Sequence, residues 1–432
     1  MNPRILPPTP VTTPGRVPAT VVDLDLASRL PDVLGVDEHG RRVERAWLLV
    51  RQFTQPIGAL LLDVPPQGLT GTDLAAAIDR EIPPAARPEP GYLARRAEVL
   101  ADAPPITVVV CTRERPDGLT RTLDSVLDQQ YPRFRVLVVD NAPVSDDTAR
   151  VAAEAADRAA VDGRAEVDYV REPRPGLSHA RNRALRAAPG EILAWIDDDE
   201  IADPHWLAEV ARAFADHPQA DVVTGAIVPA QLATDAQLWF EQYGGHSKGR
   251  GFTPDVFSPA TAHRQSPLYP LPPFGAGGNM VFRPGVLEHI GGFDTALGAG
   301  TPAMGSEDTL ALMQVLLAGG TVAYQPSALV WHHHRPDLAS LRNQLVGYGT
   351  GLTAAYTSLL LREPGLIRPL LRLAPTALRD TFGGGDRLAG LQADFPRELI
   401  GANRRGLARG PFAYLRSRLA DRRLRRRHRG TP

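Results

Sequence analysis

The chain is poor in several features, and each shortage removes a class of explanation. One cysteine, Cys111, stands in 432 residues, so no intramolecular disulfide can form. A reducing cytoplasm is the expected setting. The formal net charge is −1, which excludes a polycation spread along a nucleic-acid backbone, and no nucleic-acid partner is expected. Met1 to Pro10 lacks an apolar core of signal-peptide length. Long hydrophobic runs are also missing. The stretch from Leu345 to Leu361 is uncharged, between Arg342 and Arg362. It is short for a membrane span and is diluted by Gly347, Gly349 and Gly351. It predicts a buried or interfacial helix. No Walker-type loop occurs. Gly275-Ala276-Gly277-Gly278-Asn279 precedes a strand-like run, whereas a dinucleotide fingerprint would follow one.

What remains is an ordinary globular composition, 43% hydrophobic and 22% charged, in a chain long enough for two or three units. Residues 1–20 are rich in proline and threonine and predict a disordered tail. Residues 21–100 predict a small α/β unit with strands at Trp47–Val50 and Ile57–Leu62 and a helix from Thr72. Nothing in that unit looks catalytic. Prolines between Pro83 and Pro90, with Pro104-Pro105, frame a linker. From 104 to 335 strands and helices alternate, which predicts a mostly parallel sheet. Within it, 229–272 reads as loop-rich. Residues 336–432 predict helices and a basic tail.

The most informative local feature is Asp197-Asp198-Asp199, directly behind the apolar run Ile192–Ile196. This predicts a buried strand whose carboxyl end opens into a site. Adjacent carboxylates repel and call for a cation or strong solvation; a solvated acidic loop is the plain alternative. Two earlier strands end in Thr112-Arg113-Glu114-Arg115 and in Asp140-Asn141. Ligands of open α/β sheets lie outside such ends. Gly176 to Arg183 delivers the chain into a helix whose first turn suits an anion, with Arg181 placed to reach a phosphate. Gly277-Gly278-Asn279 would let backbone approach a sugar.

Ser306-Glu307-Asp308 can be read as a capped helix start or as the home of a general base, Asp308. In Trp331-His332-His333-His334-Arg335, alternation puts His332 and His334 on one face and His333 on the other. Neutral imidazole suits a metal such as manganese.

Together these residues resemble family 2 glycosyltransferases of the inverting, bacterial type with the GT-A fold, a Rossmann-like, mostly parallel α/β sheet. The match runs from about Ile106 to Arg335 and includes Gly292-Phe293-Asp294. The resemblance implies that Thr112, Arg113 and Asp140 bind nucleobase and ribose. It implies that Asp197 and Asp199 form the D-x-D element, that Asp197 and Asp198 bind the nucleotide sugar, and that Arg181 assists the diphosphate. Asp199 with Asp197 and His332 would hold Mn²⁺ or Mg²⁺, with His334 competing for that role. Gly277, Gly278, Asn279, Glu307 and Trp331 would lie near sugar or acceptor, and Asp308 would be the base. The implied partners are a nucleotide-diphosphate sugar and a glycan or lipid-linked acceptor. Peripheral contact of the basic end with anionic membrane, on the inner face, is one expectation; a solvated tail is the other. Rival functions are a non-catalytic sugar- or nucleotide-binding module and a sugar-phosphate nucleotidyltransferase. The latter usually carries a glycine-rich basic loop where this chain has Thr112 to Pro116.

Overall fold

A computed structural model describes residues 16–427 apart from 87, 89–90, 248, 259–265, 267, 269–273, 383–390 and 392–394. Most of the expected tail, part of the 83–90 linker, part of 229–272 and Arg429 therefore lie outside the described residues. Order begins earlier than residue 21. Arg16 is tied by its guanidinium to Glu44 at 2.9 Å and Asp235 at 2.6 Å, and Ala19 bridges to Leu232.

The N-terminal unit holds β1 (Arg16–Val17), β2 (Thr20–Asp25), β3 (Arg42–Val43), β4 (Arg45–Gln52) and β5 (Gln55–Asp63). β2, β4 and β5 form one small sheet and β1 pairs with β3. α1 (Gly71–Glu81) starts on a reciprocal cap. The Thr70 hydroxyl accepts from the Asp73 N–H, and the Asp73 carboxylate accepts from the Thr70 N–H. Its buried Leu74 and Ile78 pack with Leu48 and Val50. α2 (Tyr92–Ala101) leads onward.

The main unit runs β6 (Ile106–Thr112), α3 (Pro116–Leu127), β7 (Phe134–Asn141), α4 (Asp147–Asp162), β8 (Glu166–Glu172), α5 (Leu177–Ala187) and β9 (Ile192–Asp197). It continues through β10 (Glu200–Ala202), α6 (Trp206–Asp216), β11 (Val222–Pro229), α7 (Asp235–Gln242), β12 (Asp255–Phe257) and β13 (Met280–Phe282). α8 (Val286–His289), α9 (Glu307–Leu317) and β14 (Val322–His332) complete it. The sheet order is β10-β14-β11-β13-β9-β6-β7-β8, with β12 on β14. β9, β6, β7 and β8 are mutually parallel, and β13 is inserted antiparallel between β9 and β11. This is the mostly parallel α/β sheet that the alternating pattern predicts.

β6 is buried along its whole length, as an apolar strand covered on both faces must be. Val108 and Val110 face Leu119, Leu123 and Trp206, whereas Val109 and Cys111 face Ala180, Ala184 and Leu312.

Two expectations change. The 229–272 stretch contains α7 and β12; Thr234 and Gln237 form a capping box, a Thr-x-x-Gln signal present in the sequence. The sequence also shows separate strand-like runs around Val322 and Leu329, and these form one strand. Its register against β11 shifts between Gly225 and Ile227, which accommodates the irregular stretch around Pro326.

The C-terminal region is helical, with α10 (Leu338–Arg362), α11 (Ile367–Phe382) and α12 (Arg397–Arg427). The uncharged 345–361 stretch lies inside α10, and its glycines serve close packing. A Cβ on Gly349 would run into the Asn403 carbonyl, and one on Gly406 into the Val346 carbonyl. No helix among the described residues is long and apolar enough to cross a membrane.

The three regions are tied together by polar links, most of them at least partly buried. Arg51 donates to Asp23 at 2.6 Å and to Asp203 at 2.7 Å. Asp294 accepts from Tyr414 at 3.0 Å and pairs with Arg362 at 3.0 Å.

Candidate active site

The parallel register sets the site. Thr112 lies opposite Asp140 across β6 and β7, and Cys111 lies opposite Asp197 across β6 and β9. All three strand ends therefore open on one edge of the sheet. Asp140 is fully buried and accepts from the Tyr169 hydroxyl at 2.6 Å. Its other oxygen, Oδ1, has no partner among the described residues. Burial raises its carboxyl above the usual range. Arg113 is exposed, and its neighbour Arg115, not singled out in the sequence, turns toward the acids. Arg115 donates to Asp198 Oδ1 at 2.6 Å and to Asp199 Oδ2 at 3.1 Å. Thr112 donates to Asp198 Oδ2 at 2.7 Å. Asp198 is thus held internally, which fixes the triplet.

Asp199 is different. Its Oδ2 is also 3.5 Å from Arg335, and its Oδ1 faces His332 Nε2 at 3.6 Å. Burial opposes its charge, but His332 when protonated, and then Arg115 and Arg335, hold its carboxyl below the usual range. Burial pushes the His332 ring down to about 3, so at neutral pH that ring is uncharged. The two arginines then supply the positive field.

His332 and His334 do share a face, with Nδ1 atoms 2.8 Å apart. His334 Nε2 meets Glu241 Oε1 at 2.8 Å. A carboxylate only accepts, so the His334 Nε2 carries the proton. In the tautomer where its Nδ1 is a lone pair, the facing His332 Nδ1 is the donor. That leaves the His332 Nε2 lone pair aimed at Asp199. Glu241 lies on α7, so the stretch expected to be loop supplies the end of this relay. His246, from the same stretch, stacks edge-on at 4.3 Å from the His332 ring. Ligand atoms of His246, His332 and His334 all lie within 4.8 Å of one another.

Opposite, α9 presents Glu307 and Asp308. Ser306 makes no side-chain cap and adopts a left-handed φ of 63°, so the capped-helix reading is corrected. The strained turn brings both acids to the cleft. Asp308 is half-buried, and each oxygen accepts one backbone N–H at 2.7 Å, from Gly277 and from Thr309.

Buried Glu307 pairs with Arg181 Nη1 at 3.0 Å, while Arg181 Nη2 reaches the Gly277 carbonyl at 3.0 Å and Asp197 at 3.4 Å. Arg181 is 2% exposed. Three of its N–H donors are taken up inside the protein, so it positions Asp197 and Glu307. Burial and the neighbouring acids raise the carboxyls of Asp197 and Glu307, with Arg181 opposing. Glu200, which accepts from the Asp197 N–H at 3.0 Å, is raised by burial as well.

Two further residues fall outside the cleft. Asn279 is fully buried and donates to the Ala226 and Ala328 carbonyls at 2.9 and 2.7 Å, stitching the irregular part of β14. Trp331 points to the other face of β14 and packs with Trp47 and Leu49 of the N-terminal unit. Gly277 and Gly278 do border the acids: a Cβ on Gly277 would lie 2.7 Å from Arg181 and 3.1 Å from Asp308. Among residues not anticipated, Arg115, Glu200, Glu241, His246 and Arg335 all join the site. Tyr348 of α10 lies within electrostatic reach of Asp308, Asp199 and Arg335.

Fold and site define an α/β protein with an acid-lined cleft at the carboxyl ends of a parallel sheet. The chain belongs to glycosyl transferase family 2, whose model matches residues 107–291. It is 32% identical over 248 residues to the succinoglycan biosynthesis protein ExoM of Rhizobium meliloti, covering 55% of this chain and 69% of that one. It is 28% identical over 200 residues to the glucosyl-dolichyl phosphate glucuronosyltransferase of Haloferax volcanii, covering 45% of this chain and 57% of the relative. The chain thus spans little more than half the length of this second relative. Among solved structures, a mannosyltransferase of Pyrobaculum calidifontis in complex with GDP-Man and Mn²⁺ aligns at 20% identity. The TM-score is 0.44, over 77% of this chain and 87% of that one.

Proposed function

We propose that the chain is an inverting glycosyltransferase. It moves a sugar from a nucleotide-diphosphate sugar to an acceptor hydroxyl, in cell-surface glycan or glycolipid assembly. The observation that carries this is Asp308. Its carboxylate is fixed by two backbone N–H groups beside the Gly277 turn and next to Arg181, which also holds Asp197 of the acid triplet. A carboxylate so held keeps its free lone pairs for a proton from the attacking hydroxyl. The unpartnered buried Asp140 Oδ1, level with Thr112, offers an acceptor to a nucleoside. Arg115 and Arg335 flank Asp199 with partly exposed guanidinium groups, which supports them, in place of Arg181, as diphosphate contacts.

A divalent metal fits the donor set. Asp199 Oδ1 and the His332 Nε2 lone pair face one another without a proton between them, an arrangement that a cation relieves. Mixed nitrogen and oxygen donors favour Mn²⁺ over Mg²⁺. When bound, such an ion offsets the negative charge of a departing nucleoside diphosphate. Asp199 and His332 would hold it, with Asp197 nearby, and Glu241 with His334 would fix the orientation of the His332 ring. A cytoplasmic location with contact at the inner membrane face accompanies a lipid-linked acceptor.

A thermal-shift series with nucleoside diphosphates, with and without Mn²⁺, tests the proposal. Saturation at about 100 times Kd stabilises by about 2.7 kcal/mol. One nucleoside diphosphate should raise the melting temperature, and only with the metal. If none does, the proposal fails.

A further inference from the structure

The described residues expose large apolar side chains in two rows on the C-terminal helices. On α11, Ile367, Leu371 and Leu378 are exposed, Leu371 by 63%. At about 100° per residue they fall within about 40° of one another round the helix. The core side of the same helix is a different face, where Leu370 and Leu373 pack against Leu359 and Ala355. Each exposed apolar residue is followed at once by an exposed arginine: Arg368, Arg372 and Arg379. The arginines therefore form a second row, parallel to the first and away from the core.

α12 repeats the arrangement. Phe412, Leu415 and Leu419 are exposed, Phe412 by 73%, at spacings of three and four. Arg409, Arg416 and Arg423, spaced by seven, run beside them and are exposed. From Leu399 onward the described part of α12 holds one acid, Asp421, which is buried and paired with Arg425 at 2.7 Å. Among the described residues no carboxylate pairs with Arg409, Arg416 or Arg423, while on α11 Arg379 pairs with Asp380 at 3.4 Å. α11 and α12 pack in one cluster, through Leu370, Leu373 and Tyr414.

We infer that these two rows form a membrane-docking face for anionic lipid bilayers, with the helices lying in the headgroup layer. Apolar side chains flanked by arginine suit that depth, the rings and branched chains entering the acyl boundary and the guanidinium groups staying with phosphates. Neither helix is able to cross a bilayer. A second copy of the chain would bring like charges together, and a neutral apolar partner would leave the arginines uncompensated. The face takes in part of the basic end, as the sequence suggests, whereas the uncharged 345–361 stretch is used for helix packing. The inference adds a location to the transferase reading, but its test needs no turnover or nucleotide.

The test is co-sedimentation of the full chain with phosphatidylcholine vesicles, pure or with about one third phosphatidylglycerol. Each arginine near an anionic surface multiplies affinity by about fivefold, so the anionic vesicles should bind at least tenfold more tightly. Leu371→Glu with Leu378→Glu, and separately Phe412→Glu with Leu419→Glu, should each lower that binding about tenfold even at low salt. Melting temperature should hold; where it falls, glutamine at the same positions replaces glutamate. Absence of wild-type binding overturns the inference. So does binding that survives both double substitutions, which would leave a purely electrostatic tail. Loss of self-association in sedimentation velocity, without any vesicle binding, overturns it in favour of a dimer face.

Discussion

The Gly277 N–H donates to Asp308 Oδ2 at 2.7 Å, and the Gly277 α-carbon has no room for a methyl group between that carboxylate and Arg181. The turn glycine thus fixes the aim of the proposed base. Asp308→Asn keeps size and one of the two backbone N–H bonds but cannot take a proton. Transfer should fall by about two to four orders of magnitude, with nucleoside diphosphate binding intact by calorimetry. Normal turnover would remove the assignment. Gly277→Ala should lower kcat without changing nucleotide affinity, because its methyl displaces Asp308 or Arg181 and does not reach the Asp140 end of the cleft.

Much of this arrangement is legible in the sequence. Buried parallel strands are near-continuous apolar runs, so β6, β7 and β9 and the polar residues at their ends stand out. Once strand ends are placed, the parallel register brings Thr112, Asp140 and Asp197 to one edge. The alternation that put His332 and His334 on one face also follows from backbone geometry alone.

What was not legible depends on which way a side chain turns and what it meets. Arg113 and Arg115 are two residues apart in a loop, and only the fold decides that Arg115 reaches Asp198. Arg181 reads as a free helix cation, yet burial against Trp195 and Phe293, with ring centroids 5.9 and 5.4 Å away, commits it to internal carboxylates. Asn279 and Trp331 lie in motif-like stretches but satisfy the sheet and the N-terminal unit. Glu241 and His246 come from a stretch without apolar periodicity strong enough to mark a helix; the Thr234–Gln237 cap was the available signal.

The relay from Glu241 through His334 to His332 predicts a specific pattern of metal affinity. Partners behind a ligating histidine typically contribute about 10- to 100-fold. Glu241→Gln and His334→Ala should each weaken Mn²⁺ binding by about that factor, measured by titration of the free protein. His332→Ala should weaken it further. If His334 is instead a direct ligand in a three-histidine set with His246, His334→Ala and His246→Ala will match His332→Ala.

Arg51 joins the N-terminal unit to the catalytic unit through Asp203, both side chains almost fully buried. Removing one member of such a pair leaves an unpaired buried charge and costs about 3–5 kcal/mol, whereas replacing both by apolar groups is far milder. Arg51→Met should therefore lower unfolding free energy in urea by about 3 kcal/mol, with Asp23 remaining half-exposed to absorb part of the loss. Arg51→Met with Asp203→Leu should recover much of it. An additive double variant would mean that the two residues act separately.

The acids round Arg181 give stability a pH dependence of known sign. Burial raises the Glu307 carboxyl above its ordinary value of 4.5, with Arg181 opposing and Asp308 adding to the rise. A raised folded value means that the folded protein binds the proton more tightly than the unfolded chain. The stability from this is complete below pH 4.5 and is lost as pH rises through the folded value, to about 7. Glu307→Gln should therefore gain on the wild type as pH increases across that window, by an amount on the order of 1 kcal/mol. Glu172 provides the opposite slope. Burial raises its carboxyl, but the hydrogen bonds from Arg174 outweigh that and hold it below the usual range. Its contribution is present above the unfolded value and lost as pH falls. Urea unfolding of the two glutamine variants from about pH 2.5 to about pH 7.5 separates the cases, with the Glu172 effect below 4.5 and the Glu307 effect above it. Parallel pH profiles for both variants and the wild type would mean that neither carboxyl is perturbed in the folded protein.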